Sequence, residues 1–330
     1  MKITGIFIQI GLTPCNYDNC VFHYLTEDDI LIVTVFVDDF LAFANKIELI
    51  DKLVEKLKNY TKLKDLGDVK RCFNINISRD RDKGLLFMDQ TDYIADILKE
   101  YKMKDCNPCH IPMDPNQTLS PDLSPKSQME LEYLSKIPFQ NVIGSLMFLL
   151  QMTRPDLGHV VSTMSRINTS YNEHHWKTLK KTLRYLKATI NYKLCYQKSG
   201  NQHIIGHCDA AWACNLLDGK SVSGFVFLFQ GAAICWHSKK QQTVATSSTV
   251  AEYQSLATAT MEALWLRGLA MELYIENRTP IQMFCDNKGA VDLAKNANFT
   301  RQTRHVCIKH NFIKESVDFK RINVPNSESY

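Results

Sequence analysis

Residues 204–209 read Ile-Ile-Gly-His-Cys-Asp, an apolar run closed by a carboxylate, and residues 281–286 read Ile-Gln-Met-Phe-Cys-Asp, which closes the same way. Working outward from the first run, residues 203–209 predict a strand, and Ser223–Gln230, rich in Phe and Val, predicts a second. Gly231 punctuates, and Ala232–Ser238 predicts a third. The hydroxyls of Thr246, Ser247, Ser248 and Thr249 offer caps for a helix from Val250 to Leu273, where Leu256, Ala259, Ala263, Leu266 and Leu273 fall near helical spacing. A fourth strand ends at Asp286. Helices follow over Gly289–Asn296 and Thr303–Val317, and Phe319–Val324 predicts a last strand. Three strands, helix, strand, helix is the order of an α/β domain with a mixed central sheet.

That order gives meaning to Asp209, Glu252 and Asp286. Taken singly, each reads as an ordinary surface charge. A strand end, a helix and a second strand end, however, can bring three carboxylates to one point. Hard divalent cations such as Mg²⁺ take oxygen ligands, and two of them can clamp the attacking and leaving oxygens of a phosphodiester. The pattern therefore points to a metal-dependent nuclease of ribonuclease-H-like architecture.

Six ordered blocks make the comparison specific: Cys208–Ala213 (CDAAWA), Ser221–Phe227 (SVSGFVF), Trp236–Gln241 (WHSKKQ), Ser247–Tyr253 (SSTVAEY), Glu262–Arg267 (EALWLR) and Cys285–Asn287 (CDN). Together they resemble the RNase H domain of copia-type retrotransposon Pol polyproteins. Upstream, the apolar run Leu31–Val37 meets Asp38 and Asp39, then Phe40–Ala44, the pattern of two strands joined at an acidic tip. Phe36–Asp39 (FVDD) resembles the Tyr-Val-Asp-Asp box of the reverse transcriptases of that family, with Phe for Tyr. Leu63–Asp68 (LKDLGD), Gly144–Met147 (GSLM), Thr153–Asp156 (TRPD) and Leu183–Lys187 (LRYLK) resemble further blocks in the same order, so the resemblance covers essentially the whole chain.

The resemblance implies an α+β palm and thumb remnant of a reverse transcriptase over residues 1–103, followed by a Pro-rich linker over 104–137. A helical connection over 138–199 and an RNase-H-like domain over 200–330 complete the arrangement. It implies that Asp209, Glu252 and Asp286 are catalytic metal ligands for Mg²⁺ or Mn²⁺, and that the substrate is an RNA–DNA hybrid or another nucleic acid. It also implies that Asp38 and Asp39 are a polymerase relic. The family's polymerase takes a further Asp from a strand upstream of the hairpin, and its RNase H takes a fourth acidic residue beyond Val324–Glu328. The expectation is that both lie outside this chain unless a longer Pol chain complements it. Ala211, Val250 and Cys307 stand where the family carries acidic residues. Two readings follow: an impaired RNase-H-type endonuclease, or a non-catalytic nucleic-acid-binding remnant of a decayed transposable element.

Composition bounds the rest. The 330 residues suit two or three compact units, and a net charge of +4 is too small by itself to mark a nucleic-acid binder. Charge placement says more. Between Glu173 and Lys187, the residues Trp176, Leu179, Leu183 and Leu186 form an apolar stripe. Lys177, Lys180, Lys181, Arg184 and Lys187 occupy the other faces. Such a helix is either a solvated surface element or a phosphate-tracking face. Lys239, Lys240 and Arg304 are further candidates for backbone contacts with nucleic acid. No run approaches the ~20 apolar residues that span a bilayer, and no signal peptide is recognised. The expectation is an intracellular protein, cytoplasmic or nuclear, whose eleven cysteines are reduced. Cys106 and Cys109 form a CxxC beside His110, but no second such pair lies near to complete a zinc site.

Overall fold

The computed structural model describes residues 3–114, 128–214, 218–275, 279–295 and 307–325. By internal contacts the chain divides into two compact units. One comprises Met1–Asp68, Thr260–Ile281 and Ser316–Asn323. The other comprises Val69–Ala259, Gln282–Glu315 and Val324–Tyr330.

In the first unit, α1 (Ile3–Gln9) precedes a four-stranded antiparallel sheet of β1 (Thr13–Pro14), β2 (Val21–Leu25), β3 (Ile30–Phe36) and β4 (Asp39–Ala44), in sequential order. The sheet is covered by α2 (Ile47–Lys58), in which Leu49, Leu53 and Leu57 recur every four residues and are the helix's buried positions. They pack with Phe7, Phe22, Leu31 and Val33, and the Phe7 and Phe22 ring centroids lie 5.0 Å apart. A smaller cluster joins Cys15, Val21 and Leu273. Here the Glu272 carboxylate accepts from the Asn16 backbone N–H and side-chain amide, both at 3.0 Å. Trp265 Nε1 donates to the Tyr17 carbonyl at 2.9 Å. Gly268 is required at this point, because a Cβ there would fall inside the Tyr17 ring.

The second unit holds an antiparallel sheet of β5 (Arg71–Cys72), β6 (Ile75–Asp80), β7 (Leu85–Asp89) and β8 (Leu194–Gln197). Its helices are α3 (Thr91–Glu100), α4 (Gln128–Leu134), α5 (Phe139–Met152), α6 (Gly158–Ser165) and α7 (Glu173–Ala188). Residues of α3, α5, α6 and α7 share one core that includes Ile94, Val142, Leu149, Val160, Leu179 and Leu183. The start of α7 is fixed by a capping box, with Asn172 and His175 exchanging backbone and side-chain bonds.

Arg154 lies within this framework and is only 2% exposed. Its Nε and Nη2 reach Asp156 at 3.0 and 2.7 Å, its Nη2 and Nη1 reach the Thr189 hydroxyl and carbonyl at 2.6 and 3.3 Å, and the Tyr185 hydroxyl donates to Asp156 at 2.8 Å. The guanidinium also sits over the Tyr185 and Tyr192 rings. A buried charge is tolerated when its donors are satisfied, and here each guanidinium nitrogen has an acceptor.

The remaining elements are β9 (Ile205–Ala211), β10 (Val222–Phe229), β11 (Ala232–Lys240), α8 (Ser248–Glu272), β12 (Ile281–Cys285), α9 (Lys288–Lys295), α10 (Cys307–Asp318) and β13 (Ile322–Asn323). Sheet order is β11-β10-β9-β12-β13. β9, β10 and β11 are antiparallel neighbours, and β12 runs parallel to β9. This is the mixed α/β sheet that the order of sequence signals predicted. Trp236 on β11 donates to the Leu150 carbonyl at 2.7 Å, which ties the sheet to α5. Among the described residues no helix is long and apolar enough to cross a membrane.

Candidate metal centre

The parallel pairing of β9 and β12 organises the site. Cys208 stands opposite Cys285 in register, so Asp209 and Asp286 leave their strands at the same edge. Gly206, deeper in β9, permits this close pairing. A Cβ there would lie 2.6 Å from both Met283 Sδ and Phe227 Cε1. Glu252 comes from the first turns of α8, whose start is capped by the Ser247 hydroxyl accepting the Val250 N–H at 3.2 Å. One turn further on, the Ser255 hydroxyl bonds the carbonyls of Asp209 at 2.7 Å and Gly224 at 3.1 Å, pinning the helix over β9 and β10.

Asp209 and Asp286 are exposed, whereas Glu252 is 6% exposed. Burial is the first cause that pushes the Glu252 carboxyl up to about 8. Cys285, Asp209 and Asp286 add to it, and the Ala210 N–H opposes it. Among the described residues no Lys, Arg or His forms an ion pair with any of the three carboxylates. The oxygens of Glu252 and Asp286 and the Cys285 sulfur all lie within 4.8 Å of one another. Asp209 stands at the adjoining strand end, outside that tight set. In the sequence Cys285 is one of the reduced thiols and the first residue of the Cys-Asp-Asn block, with no ligand role assigned. The available signal was its position directly before Asp286, as Cys208 stands directly before Asp209.

The two thiols interact. The neighbouring Cys285 thiol, and then burial, push the Cys208 thiol up, while Cys208 holds Cys285 below its ordinary value. Beside Glu252, the Tyr253 hydroxyl and His310 Nδ1 are 3.1 Å apart, and Lys309 donates to Gln254 at 3.3 Å. These contacts fix α10 against α8.

The acidic tip of the first unit is different. Phe36 pairs with Asp39, leaving Val37 and Asp38 as the turn. Val37 adopts φ 54° and is 79% exposed, a conformation that costs a β-branched residue about 1–2 kcal/mol. Asp38 and Asp39 are exposed, and among the described residues no third metal-ligating side chain converges on them.

The candidate phosphate contacts divide. Arg184 Nε donates to the Asn107 carbonyl at 2.7 Å and Lys187 Nζ to the Cys106 carbonyl at 2.6 Å, so both hold the Cys106–Asn107 segment against α7. Lys177 pairs with Glu173 at 3.0 Å, and Lys240 pairs with Asp218 at 2.8 Å. Lys180 lies over the Trp176 ring, Lys181 is half-buried and Lys239 is exposed. Arg304 lies outside the described residues. Cys106 and Cys109 are free thiols, and no metal-ligating group forms around them among the described residues.

Residues 1–115 match the family described as reverse transcriptase (RNA-dependent DNA polymerase). The chain is 33% identical over 319 residues to the retrovirus-related Pol polyprotein from transposon TNT 1-94 of Nicotiana tabacum, covering 96% of this chain and 24% of that one. It is 30% identical over 324 residues to the corresponding polyprotein from transposon RE1 of Arabidopsis thaliana, covering 98% and 22%. It thus spans about a quarter of the length of these curated relatives. Among solved structures, LC11-RNase H1 isolated from compost is similar at a TM-score of 0.30 and 17% identity, covering 38% of this chain and 84% of that one.

Proposed function

The chain belongs to the Pol polyproteins of copia-type retrotransposons, and from that premise we propose that Asp209, Glu252 and Asp286 form a divalent-metal site for hydrolysis of RNA in RNA–DNA hybrids. The observation that carries this reading is a nearly buried carboxylate, Glu252, beside two exposed carboxylates, with no ion-paired cationic side chain among the described residues. Such a cluster is electrostatically incomplete without a cation. Carboxylates from two strand ends and the start of α8 offer the oxygen donors that Mg²⁺ or Mn²⁺ takes. When bound, such an ion would supply countercharge and lower the pKa of a water.

The residues divide the remaining work. Asp209 and Asp286 present oxygens at the open edge, where a phosphodiester can approach. Glu252 gives up its proton to become a ligand, so metal affinity is expected to rise with pH through about 8. Ser255 and the Ala210 N–H hold strand and helix in register. Residues 1–103, 104–137, 138–199 and 200–330 are proposed as palm and thumb, linker, connection and nuclease segments. Asp38 and Asp39 are assigned no chemistry in this chain alone. A complementing Pol chain is their proposed context.

The second reading, a non-catalytic nucleic-acid-binding remnant, has its own observation. Ala211 is exposed at the edge of β9 where the resemblance calls for a further carboxylate, which weakens the charge available for a second ion. The experiment is cleavage of a labelled RNA–DNA hybrid in Mg²⁺ and then Mn²⁺, beside Asp286→Asn purified identically. Loss of cutting by more than about a hundredfold in the variant supports the nuclease, since replacing even outer-shell partners costs 10–100-fold. Equal signals in both proteins overturn it.

A further inference from the structure

We propose that Cys285 is itself a metal ligand, and that Cys285, Glu252 and Asp286 together form a site for a thiophilic divalent cation such as Zn²⁺ or Cd²⁺. The three ligand atoms lie within 4.8 Å of one another. Zinc takes sulfur at about 2.3 Å and carboxylate oxygen at about 2.0–2.2 Å, so small side-chain rotations close this triangle on one ion. A thiolate with two carboxylates is a donor set that zinc accepts and that Mg²⁺, which demands oxygens, does not select.

Two further features favour the assignment. Glu252 is nearly fully buried and has no cationic partner among the described residues, and Cys285 Sγ and Glu252 Oε2 are 4.0 Å apart. Cys208, directly opposite Cys285 in register, donates to the Phe284 carbonyl at 3.5 Å, in the residue next to Cys285. It is a positioning residue that orients the ligand from behind, as outer-shell donors do. Asp209 stands outside the triangle. The hard site of three carboxylates and the soft site of one sulfur and two carboxylates therefore overlap without coinciding, and occupation of the soft site excludes the hard ion. On coordination the Cys285 thiol releases its proton to solvent.

This inference shares Glu252 and Asp286 with the proposed nuclease site but does not depend on hybrid cleavage. The test uses the full chain, kept reduced with a non-thiol reductant and stripped of metal by a chelator. Cd²⁺ binding is followed by its sulfur-to-metal charge-transfer absorbance, and Mn²⁺ binding by its electron paramagnetic resonance. The expected result is a Cd²⁺ band that disappears in Cys285→Ser and Cys285→Ala, with Cd²⁺ affinity falling about tenfold or more. Mn²⁺ affinity should change less than about twofold in the same variants. Cys106→Ser should leave the band intact. A band undiminished in both Cys285 variants, or no band in the parent protein while Mn²⁺ binds, overturns the proposal. A Cys285-dependent band in a protein that fails to bind Mn²⁺ supports it while removing the three-carboxylate site.

Discussion

Two buried charged groups of the second unit, Arg154 and Glu252, are surrounded in opposite ways. Arg154 is 2% exposed, yet it is ringed by Asp156, Thr189 and two tyrosine rings. Glu252 is 6% exposed and faces a thiol and two more carboxylates. The first is a closed account of charge and hydrogen bonds, which makes it architecture. The second is left open to solvent on the side where Asp209 and Asp286 stand, which is why it is the proposed place for a cation. Burial alone does not separate structure from site. The sign and completeness of what surrounds the buried group does.

The contrast fails if Arg154 can be removed harmlessly. Arg154→Met is expected to destabilise the protein by about 3–5 kcal/mol, because it strands Asp156 and the Thr189 carbonyl without partners. Denaturant titration measures this, and a loss below about 1 kcal/mol would show that the ring of partners is not what holds the region.

Glu252→Gln should act in the opposite direction on the metal-free protein. A carboxyl whose folded value is raised from 4.5 to about 8 binds more protons folded than unfolded. It therefore weakens the fold as pH climbs from about 4.5 to about 8, and its full effect is present above that window. Since the edge of the site is open to water, the discounted gain from Gln is on the order of 1–3 kcal/mol at pH 8 and close to nothing at pH 4.5. Melting curves at the two pH values, with and without Mn²⁺, check both the sign and its reversal by metal.

Gly206→Ala probes the frame rather than the charge. Its Cβ would collide with Met283 and Phe227, so a loss of about 1–3 kcal/mol is expected. Mn²⁺ affinity should fall with it if the β9–β12 spacing sets the carboxylate geometry. Arg184→Ala should be the mildest change. Lost contact with the Asn107 carbonyl predicts about 0.5–1.5 kcal/mol of stability. An unchanged salt slope of hybrid binding would confirm that this arginine serves the fold. A slope reduced by about one would return it to the phosphate-tracking face.

The contrast between the two charges also shows what the sequence disclosed. Strands expected at 203–209, Ser223–Gln230 and Ala232–Ser238 are found at Ile205–Ala211, Val222–Phe229 and Ala232–Lys240, and the helix expected at Val250–Leu273 runs Ser248–Glu272. Their periodicity is local, so it could be read locally. The helix expected over Thr303–Val317 is described from Cys307 to Asp318, and its first residues lie outside the described set. The strand expected over Phe319–Val324 shrinks to Ile322–Asn323, since Lys320 adopts φ 53° and breaks the extended run.

The sheet of β5–β8 was not read, because β8 at Leu194–Gln197 pairs with β7 at Leu85–Asp89 across a long separation that no local pattern records. The Pro-rich linker expected over 104–137 is held down in its described part up to Asp114. Arg184, Lys187 and Thr182 bond the carbonyls of Asn107, Cys106 and Pro112, and Met113 is buried. Arg154 was visible only as a member of a Thr-Arg-Pro-Asp block, because its partners are assembled by tertiary structure. At the site, the carboxylates were legible from strand ends and a cap. The nearness of the Cys285 sulfur depended on the register of β9 against β12, which is not encoded in either strand alone.

That register has a consequence in time as well as in space. Cys208 and Phe284 are 76 residues apart in sequence, and the strands that carry them must meet before Asp209 and Asp286 share an edge. Closing so wide a loop is entropically slow compared with forming a helix or a hairpin. A growing chain therefore lacks the shared carboxylate edge while β9, β10, β11 and α8 are being made, and acquires it only when β12 docks. A divalent ion that recognises the finished edge reports on the last step of assembly, and the melting temperature should rise with its concentration as for any ligand of the native state alone.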